Sequence, residues 1–222
     1  MHENVTAIVS AFNEDENIED TINSLKQIDG ITEIITVNDG STDNTLETLK
    51  KIENIKIVHN VVNYGKGHAI KSALPHVTNN YVLLVDADLK SSALEMRKLV
   101  NNTKMLSNNM LVAIYPKPLK KGGFGLVKTL SKKSLYLLTN KSSDSVLSGQ
   151  RLLYTDFLKR INLPEDYGVE FKITLEALRS NINIIDINTN IRHRETGRNI
   201  KDFAHRGKQF ANILKAVIRE MI

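Results

Sequence analysis

Four apolar runs in the first ninety residues, separated by stretches with helical spacing, constrain this chain more than any other feature of its sequence. The runs are "VTAIVSAF" (5–12), "ITEIITVND" (31–39), "IKIVHN" (55–60) and "YVLLVD" (81–86). After the first, Ile18, Ile22 and Leu25 keep a helical period that stops near Gly30, with Asn13 and Glu16 as the expected capping start. "DNTLETLKKI" (43–52) and "GKGHAIKSALPHV" (65–77) supply the next two helices. Such alternation predicts βαβ units and an α/β fold, with a mostly parallel central sheet flanked by helices. Four strands running one way bring their C-terminal ends to one edge, the edge beyond which open α/β sheets bind ligands. Those ends read "SAFNED", "VNDGSTD", "NYGKG" and "DAD", polar in every case.

The second half is less regular. Strands are expected at 110–116, 146–154 and 182–193, and helices at 126–140, 167–180 and 199–222, with a basic, glycine-rich loop "KPLKKGGFG" at 117–125. No repeat, low-complexity segment or linker divides the 222 residues. The expectation is one domain, with a nucleotide-binding half (1–115) and an acceptor-binding half (116–222). The N-terminus enters a strand pattern at once, and no apolar run approaches the roughly 20 residues that cross a bilayer. Cysteine is absent, so disulfides and thiolate metal sites are excluded and a metal must be held by Asp, Glu, His or Asn. A reducing cytoplasm suits that composition.

Asp86 and Asp88 place two hard oxygen ligands at the end of the fourth strand. Two carboxylates that close raise one another's pKa, and a divalent cation whose shell phosphate oxygens complete relieves the conflict. Solvated turn residues would have the same spacing. Asp39 ends the second strand, where its carboxylate would accept hydrogen bonds from a base or ribose. A turn followed by a capped helix would account for Gly40, Ser41 and Asp43 without any ligand. Lys66 stands between two glycines at a helix start, where backbone N–H groups and an ammonium suit a diphosphate; a flexible turn is the plainer reading.

"IVSAFNEDENIEDTI", "VNDGSTDNT", "NYGKGHAI" and "YVLLVDAD", in this order and spacing, resemble the nucleotide-sugar-binding half of family 2 glycosyltransferases of the GT-A fold. The resemblance implies a nucleoside-diphosphate sugar donor (a UDP- or GDP-sugar) and Mg2+ or Mn2+. It also implies that Ala11, Phe12 and Glu14 line the nucleoside pocket, Asp39 meets the base and Lys66 lies near the nucleotide. Asp86 and Asp88 match the D-x-D pair, the second as the firmer metal ligand and the first nearer the ribose. "SGQR" (148–151), "YGVEFKITLEA" (167–177) and "RHRETGR" (192–198) are more weakly similar to a subgroup that includes glucosyl-3-phosphoglycerate synthases. There a C-terminal histidine completes the metal shell, which here would be His193.

On this reading a metal at Asp86, Asp88 and His193 stabilises the departing diphosphate as a Lewis acid. Lys66, with one or more of Arg151, Arg192, Arg194 and Arg198, adds fixed positive charge. Asp166 and Glu170 are the candidates for the acceptor's base in an inverting enzyme, while in the retaining subgroup the Y-G-V-E glutamate orients donor sugar or acceptor. Both stereochemical outcomes stay open. Residues 192–219 carry eight Lys or Arg against two acids, with apolar residues at helical spacing beside them. This is a core-packed helix with a wet basic face, or a surface for an anionic, phosphorylated or lipid-linked acceptor and for peripheral membrane contact. Nucleic acid is disfavoured, because no binding module accompanies the basic stretches. The oligomeric state stays open, a homodimer included. A sugar nucleotidyltransferase would need G-G-x-G-T-R after strand one and a dinucleotide oxidoreductase G-x-G-x-x-G, and both are missing. A non-catalytic nucleotide-sugar sensor that keeps the fold is the alternative from another class.

Overall fold

The "YVLLVD" run is buried on both faces because it lies at the middle of a seven-stranded sheet, the setting that allows a strand to be continuously apolar. The computed structural model describes residues 3–115, 125–165 and 168–191. In chain order its strands are β1 (Val5–Ala11), β2 (Ile31–Asp39), β3 (Lys56–Asn60), β4 (Tyr81–Asp86), β5 (Asn109–Ile114), β6 (Arg151–Tyr154) and β7 (Asn183–Asn188). They lie in the order β3-β2-β1-β4-β6-β5-β7. β1 is parallel to β2 and β4, and β2 to β3. β6 is antiparallel to both its neighbours, and β5 is parallel to β7. The chain therefore winds outward through β2 and β3, then returns to place β4 on the other side of β1. The crevice between β1 and β4 is the switch point at which such sheets bind ligands.

The helices are α1 (Ile18–Leu25), α2 (Thr45–Lys50), α3 (Lys66–Ala73), α4 (Arg97–Val100), α5 (Gly125–Thr139), α6 (Thr155–Arg160) and α7 (Val169–Arg179). Alternate residues of the central strands feed two cores. On one face, Ala7, Val9, Leu83 and Val85 pack with Ile18, Ile22 and Leu25 of α1 and with Met96 and Leu99. On the other, Ile8, Val82 and Leu84 pack with Ala69 and Ile70 of α3 and Val169 and Ile173 of α7. Leu135 of α5 joins Val146, Phe171, Leu175 and Leu178 in a smaller third cluster. Among the described residues no helix is long and apolar enough to cross a membrane.

Several sequence expectations shift in the structure. The strand expected at 146–154 is confined to β6, because residues 146–150 turn back over the Arg151 side chain instead of extending. The last strand ends at Asn188 rather than 193. Asn13 does not cap α1. It takes a positive φ of 57°, a conformation Asn tolerates, and its Oδ1 accepts the Thr42 N–H at 2.8 Å. The helix starts later, with the Glu14 carbonyl accepting from Asn17 and Ile18. The helix expected at 199–222 and the basic loop from 117 to 124 lie outside the described residues.

Candidate active site

β4 delivers Asp86 to the sheet's edge, and the chain beyond it follows tight 3-10 turns from Ala87 to Met96. Ala87 and Leu89 are buried while Asp86 and Asp88 stay partly exposed, so the apolar residues anchor the stretch and the acids remain accessible. Lys90 interrupts the turns with φ 49° and ψ −138°, a costly backbone state for a residue with a Cβ. Thr21 of α1 holds this path in place. Its buried hydroxyl donates to the Ala87 carbonyl at 2.7 Å and accepts the Lys90 N–H at 2.8 Å.

Asp86 is gripped from two sides. Its Oδ1 accepts from Lys66 Nζ at 2.6 Å and its Oδ2 from Gln150 Nε2 at 2.6 Å. The same Lys66 ammonium donates to Glu170 Oε1 at 2.7 Å. Burial alone would lower the Lys66 pKa, but the charges and hydrogen bonds of Asp86 and Glu170 override it and raise it, so the ammonium is firmly protonated. Lys66 opens α3 and Glu170 lies in the first turn of α7, where a carboxylate is favoured by the helix dipole. The two helix starts press together at Gly67, whose N–H donates to the Glu165 carbonyl at 3.0 Å. A Cβ at Gly67 would stand 1.6 Å from the Pro164 carbonyl oxygen, so only glycine allows this approach.

The glycines beside Lys66 therefore serve packing. The N–H of Gly67 is taken by Glu165, and that of Gly65 donates to Asp39 Oδ2 at 2.7 Å, so neither is open as the expected cradle for a diphosphate. Asp39 is 3% exposed and also accepts from Asn60 Nδ2 at 2.8 Å and the Tyr64 N–H at 3.3 Å. It fastens the loop that carries Lys66. Across the crevice, Ala11 is buried at the tip of β1, Phe12 is 44% exposed, and Glu14 is partly buried. Burial raises the Glu14 pKa, with the negative charges of Asp88, Asp43 and Asp86 adding to it and the hydrogen bond from Asn17 opposing it. Glu14 thus registers the crowding of acids at this edge.

Arg151 requires a correction. The sequence reading has it meet a diphosphate, yet it is fully buried. Its Nε donates to the Ser148 carbonyl at 2.7 Å, Nη1 to Thr174 Oγ1 at 2.7 Å and Nη2 to the Val146 carbonyl at 2.7 Å. Burial pulls its pKa down to about 10, with the charge of Glu170 opposing the fall. The guanidinium organises the turn over β6 from below and offers no face to a ligand. Two residues at the site escaped sequence reasoning, Gln150 and Tyr115, whose phenol donates to Gln150 Oε1. Burial, reinforced by the charge of Asp86, raises the Tyr115 pKa, so it remains a proton donor. Both sit where an apolar strand meets a polar residue, the signal that singles out Asp86.

The donor set suits a divalent cation in part. Asp86 and Asp88 are hard oxygen ligands on an acid-rich edge, where a cation would offset the crowded negative charge. Among the described residues no cluster of three or more His, Asp or Glu side chains is set to hold an ion, so further ligands must come from elsewhere. His193, Asp166, Arg192, Arg194 and Arg198 lie outside the described residues.

A switch-point crevice edged by an acidic pair and a charged lysine defines the class of α/β proteins that bind ligands at strand tips. More narrowly, the chain belongs to glycosyl transferase family 2, whose family model matches residues 6–156. The poly-beta-1,6-N-acetyl-D-glucosamine synthase of Staphylococcus epidermidis is 36% identical over 90 residues, covering 39% of this chain and 22% of that protein. The undecaprenyl-phosphate 4-deoxy-4-formamido-L-arabinose transferase of Proteus mirabilis is 33% identical over 105 residues, covering 43% of this chain and 32% of that protein. The chain thus spans a third or less of the length of these curated relatives. Glucosyl-3-phosphoglycerate synthase from Mycobacterium tuberculosis, in complex with Mn2+, uridine diphosphate and phosphoglyceric acid, superposes with a TM-score of 0.81. That match is 21% identical and covers 98% of this chain and 78% of the other, a likeness of fold. The fold is GT-A, as the four ordered motifs imply.

Proposed function

We propose that the chain is a metal-dependent glycosyltransferase that moves a sugar from a nucleoside-diphosphate sugar to an oxygen of a phosphorylated or lipid-linked acceptor. The observation that carries this reading is the meeting of Asp86, Lys66 and Glu170 at the β4 tip, two residues from Asp88, in a family 2 chain. A UDP-sugar donor is favoured by the complexes of the mycobacterial synthase with uridine diphosphate and with UDP-glucose. A phosphorylated acceptor is favoured by those complexes and by the undecaprenyl-phosphate transferase of Proteus mirabilis.

In the transfer, an acceptor oxygen forms a bond to the anomeric carbon, and the bond from that carbon to the diphosphate oxygen breaks with its electron pair. Asp86 and Asp88, with His193 as the proposed third protein ligand, would hold a divalent ion, Mg2+ or Mn2+, which when bound would supply Lewis-acid stabilisation of the leaving diphosphate. Lys66 adds a fixed positive charge beside the same phosphates. Because its ammonium bridges Asp86 and Glu170, it also couples the donor edge to α7. Glu170 orients the reacting hydroxyl, or with Asp166 is a candidate to take its proton. Phe12 gives the nucleoside an apolar surface at the mouth of the crevice.

Calorimetry with a panel of nucleotides and sugar nucleotides, with and without Mn2+ or Mg2+, tests the reading. Tight binding of one nucleoside diphosphate only when metal is present is the expected result. Equal binding with and without metal would remove the proposed site. Turnover of the bound sugar nucleotide with a phosphorylated acceptor then separates an enzyme from a sensor.

A further inference from the structure

We propose that Gln150 is a positioning residue for the metal, setting the Asp86 carboxylate from behind, with Tyr115 holding the far end of the Gln150 amide. The inference rests on the functional reading above and concerns residues to which that reading gives no role.

The two oxygens of Asp86 have unlike partners. Oδ1 meets Lys66, a long cationic side chain that is 27% exposed. Oδ2 meets Gln150, which is wholly buried. An amide N–H takes one lone pair of the carboxylate without bringing a charge that would compete with a cation, whereas an ammonium does compete. Gln150 therefore supplies what a metal-ligating carboxylate needs from its surroundings: orientation without neutralisation. An unconstrained amide could present oxygen to Asp86 and repel it. Ionised Asp86 only accepts and so takes the Nε2 end, while the Tyr115 phenol donates to Oε1 and holds the other end of the amide in place.

The backbone beneath Gln150 is fixed with equal care. The Gln150 carbonyl accepts the Ala113 N–H at 3.0 Å, and the Ser148 hydroxyl donates to the Ala113 carbonyl at 2.6 Å. Arg151 binds the carbonyls of Ser148 and Val146 from inside. Gly149 is the second, independent sign that this turn is built against the acidic tip. A Cβ there would stand 2.5 Å from Asp86 Oδ2 and 3.0 Å from Lys66 Nζ. The turn thus lies close enough that a side chain at 149 would displace the Asp86–Lys66 pair.

The test uses the wild type, Gln150→Leu and Tyr115→Phe, measuring Mn2+ affinity by electron paramagnetic resonance. Uridine diphosphate binding by calorimetry, with and without Mn2+, and the melting temperature complete the set. Gln150→Leu should weaken Mn2+ binding, and Mn2+-dependent nucleotide binding, by roughly 10- to 100-fold, the range found for residues that orient metal ligands. Metal-free nucleotide binding should not change, which a merely structural role for Gln150 would not predict. Tyr115→Phe keeps the core filled and should shift the same quantities in the same direction by a smaller factor; it carries the test if Gln150→Leu fails to fold. Wild-type metal affinity in both variants would overturn the inference and leave the functional reading standing. A Gln150-dependent Mn2+ site in a protein that binds no nucleotide would support the inference and overturn that reading.

Discussion

On the β3-β2-β1-β4 side of the sheet, loops hold one another through short side chains and backbone: Asn13 with Thr42, Glu14 N–H with Thr45 at 2.8 Å, Asp39 with Gly65 at 2.7 Å. On the β6-β5-β7 side, single side chains reach across to the same edge: Gln150 to Asp86 over 64 positions of sequence, and Glu170 to Lys66 over 104. The first side builds the crevice, and the second adjusts the charges within it. A βαβ frame can therefore stay nearly constant while the later strands retune its acids and its lysine. Across this arrangement, the acids at the β4 tip and the buried groups beneath the β6 turn should fail differently when changed, the first through lost chemistry and the second through lost order.

Asp88→Ala makes the sharpest test of that division. It removes one of the two acids proposed to hold the ion from a partly exposed position, so the melting temperature should change little while turnover falls by about 10³-fold or more as Lewis-acid and electrostatic stabilisation of the leaving group are lost. A stable but fully active Asp88→Ala protein would break the comparison at its base. Arg151→Met should do the reverse. It leaves the carbonyls of Val146 and Ser148 and the Thr174 hydroxyl without their buried donors. The expected loss is about 2–4 kcal/mol, a fall in melting temperature on the order of 10 °C by calorimetry. Direct binding of diphosphate by Arg151 would instead predict near-normal stability with weakened nucleotide binding.

The same division explains what can be read from the sequence. Strand and helix alternation over residues 5–86 is local, so its elements lie where periodicity places them, within a few residues. The β4 tip is legible because an apolar run ends in two acids. The turn at 146–150 is not: "VLSGQRLLY" alternates well enough for a strand, and only the burial of Arg151 shows why the chain folds back before it. The role of Asp39 is hidden for a related reason. A free carboxylate at a strand tip suggests a ligand, but the N–H groups that occupy it come from residues 64 and 65, brought near by the fold. Glycines flanking Lys66 suggest a phosphate cradle, whereas Gly67 is required by the approach of Pro164, a residue distant in sequence.

Thr21→Val probes the join between the two sides at smaller cost. The substitution keeps the volume but removes the hydroxyl that satisfies Ala87 and Lys90. A loss of about 1–3 kcal/mol by denaturant titration is expected for leaving those backbone groups unpaired. Because the strained Lys90 backbone then relaxes, metal-dependent nucleotide binding should weaken along with stability. A Thr21→Val protein that lost stability and bound metal and nucleotide normally would show that the path after Asp88 does not set the ion's ligands.

The smallest expected effect is also the most diagnostic of charge. Glu14 has a carboxyl pKa raised above the value of 4.5 in an unstructured chain. The native state therefore binds this proton more tightly than the unfolded one, and the ionised form costs native stability once the pH exceeds the unfolded value. Glu14→Gln should stabilise the metal-free protein near neutral pH by a degree or two, roughly what a fraction of a kcal/mol produces in a chain of this size. The gain should shrink as the pH falls through the folded pKa and vanish below the unfolded value. Mn2+ should narrow the difference at neutral pH, because a cation beside Asp86 and Asp88 favours the ionised Glu14 that the metal-free cluster penalises. A difference in melting temperature that ignores both pH and Mn2+ would mean that the acids at this edge do not share one electrostatic site.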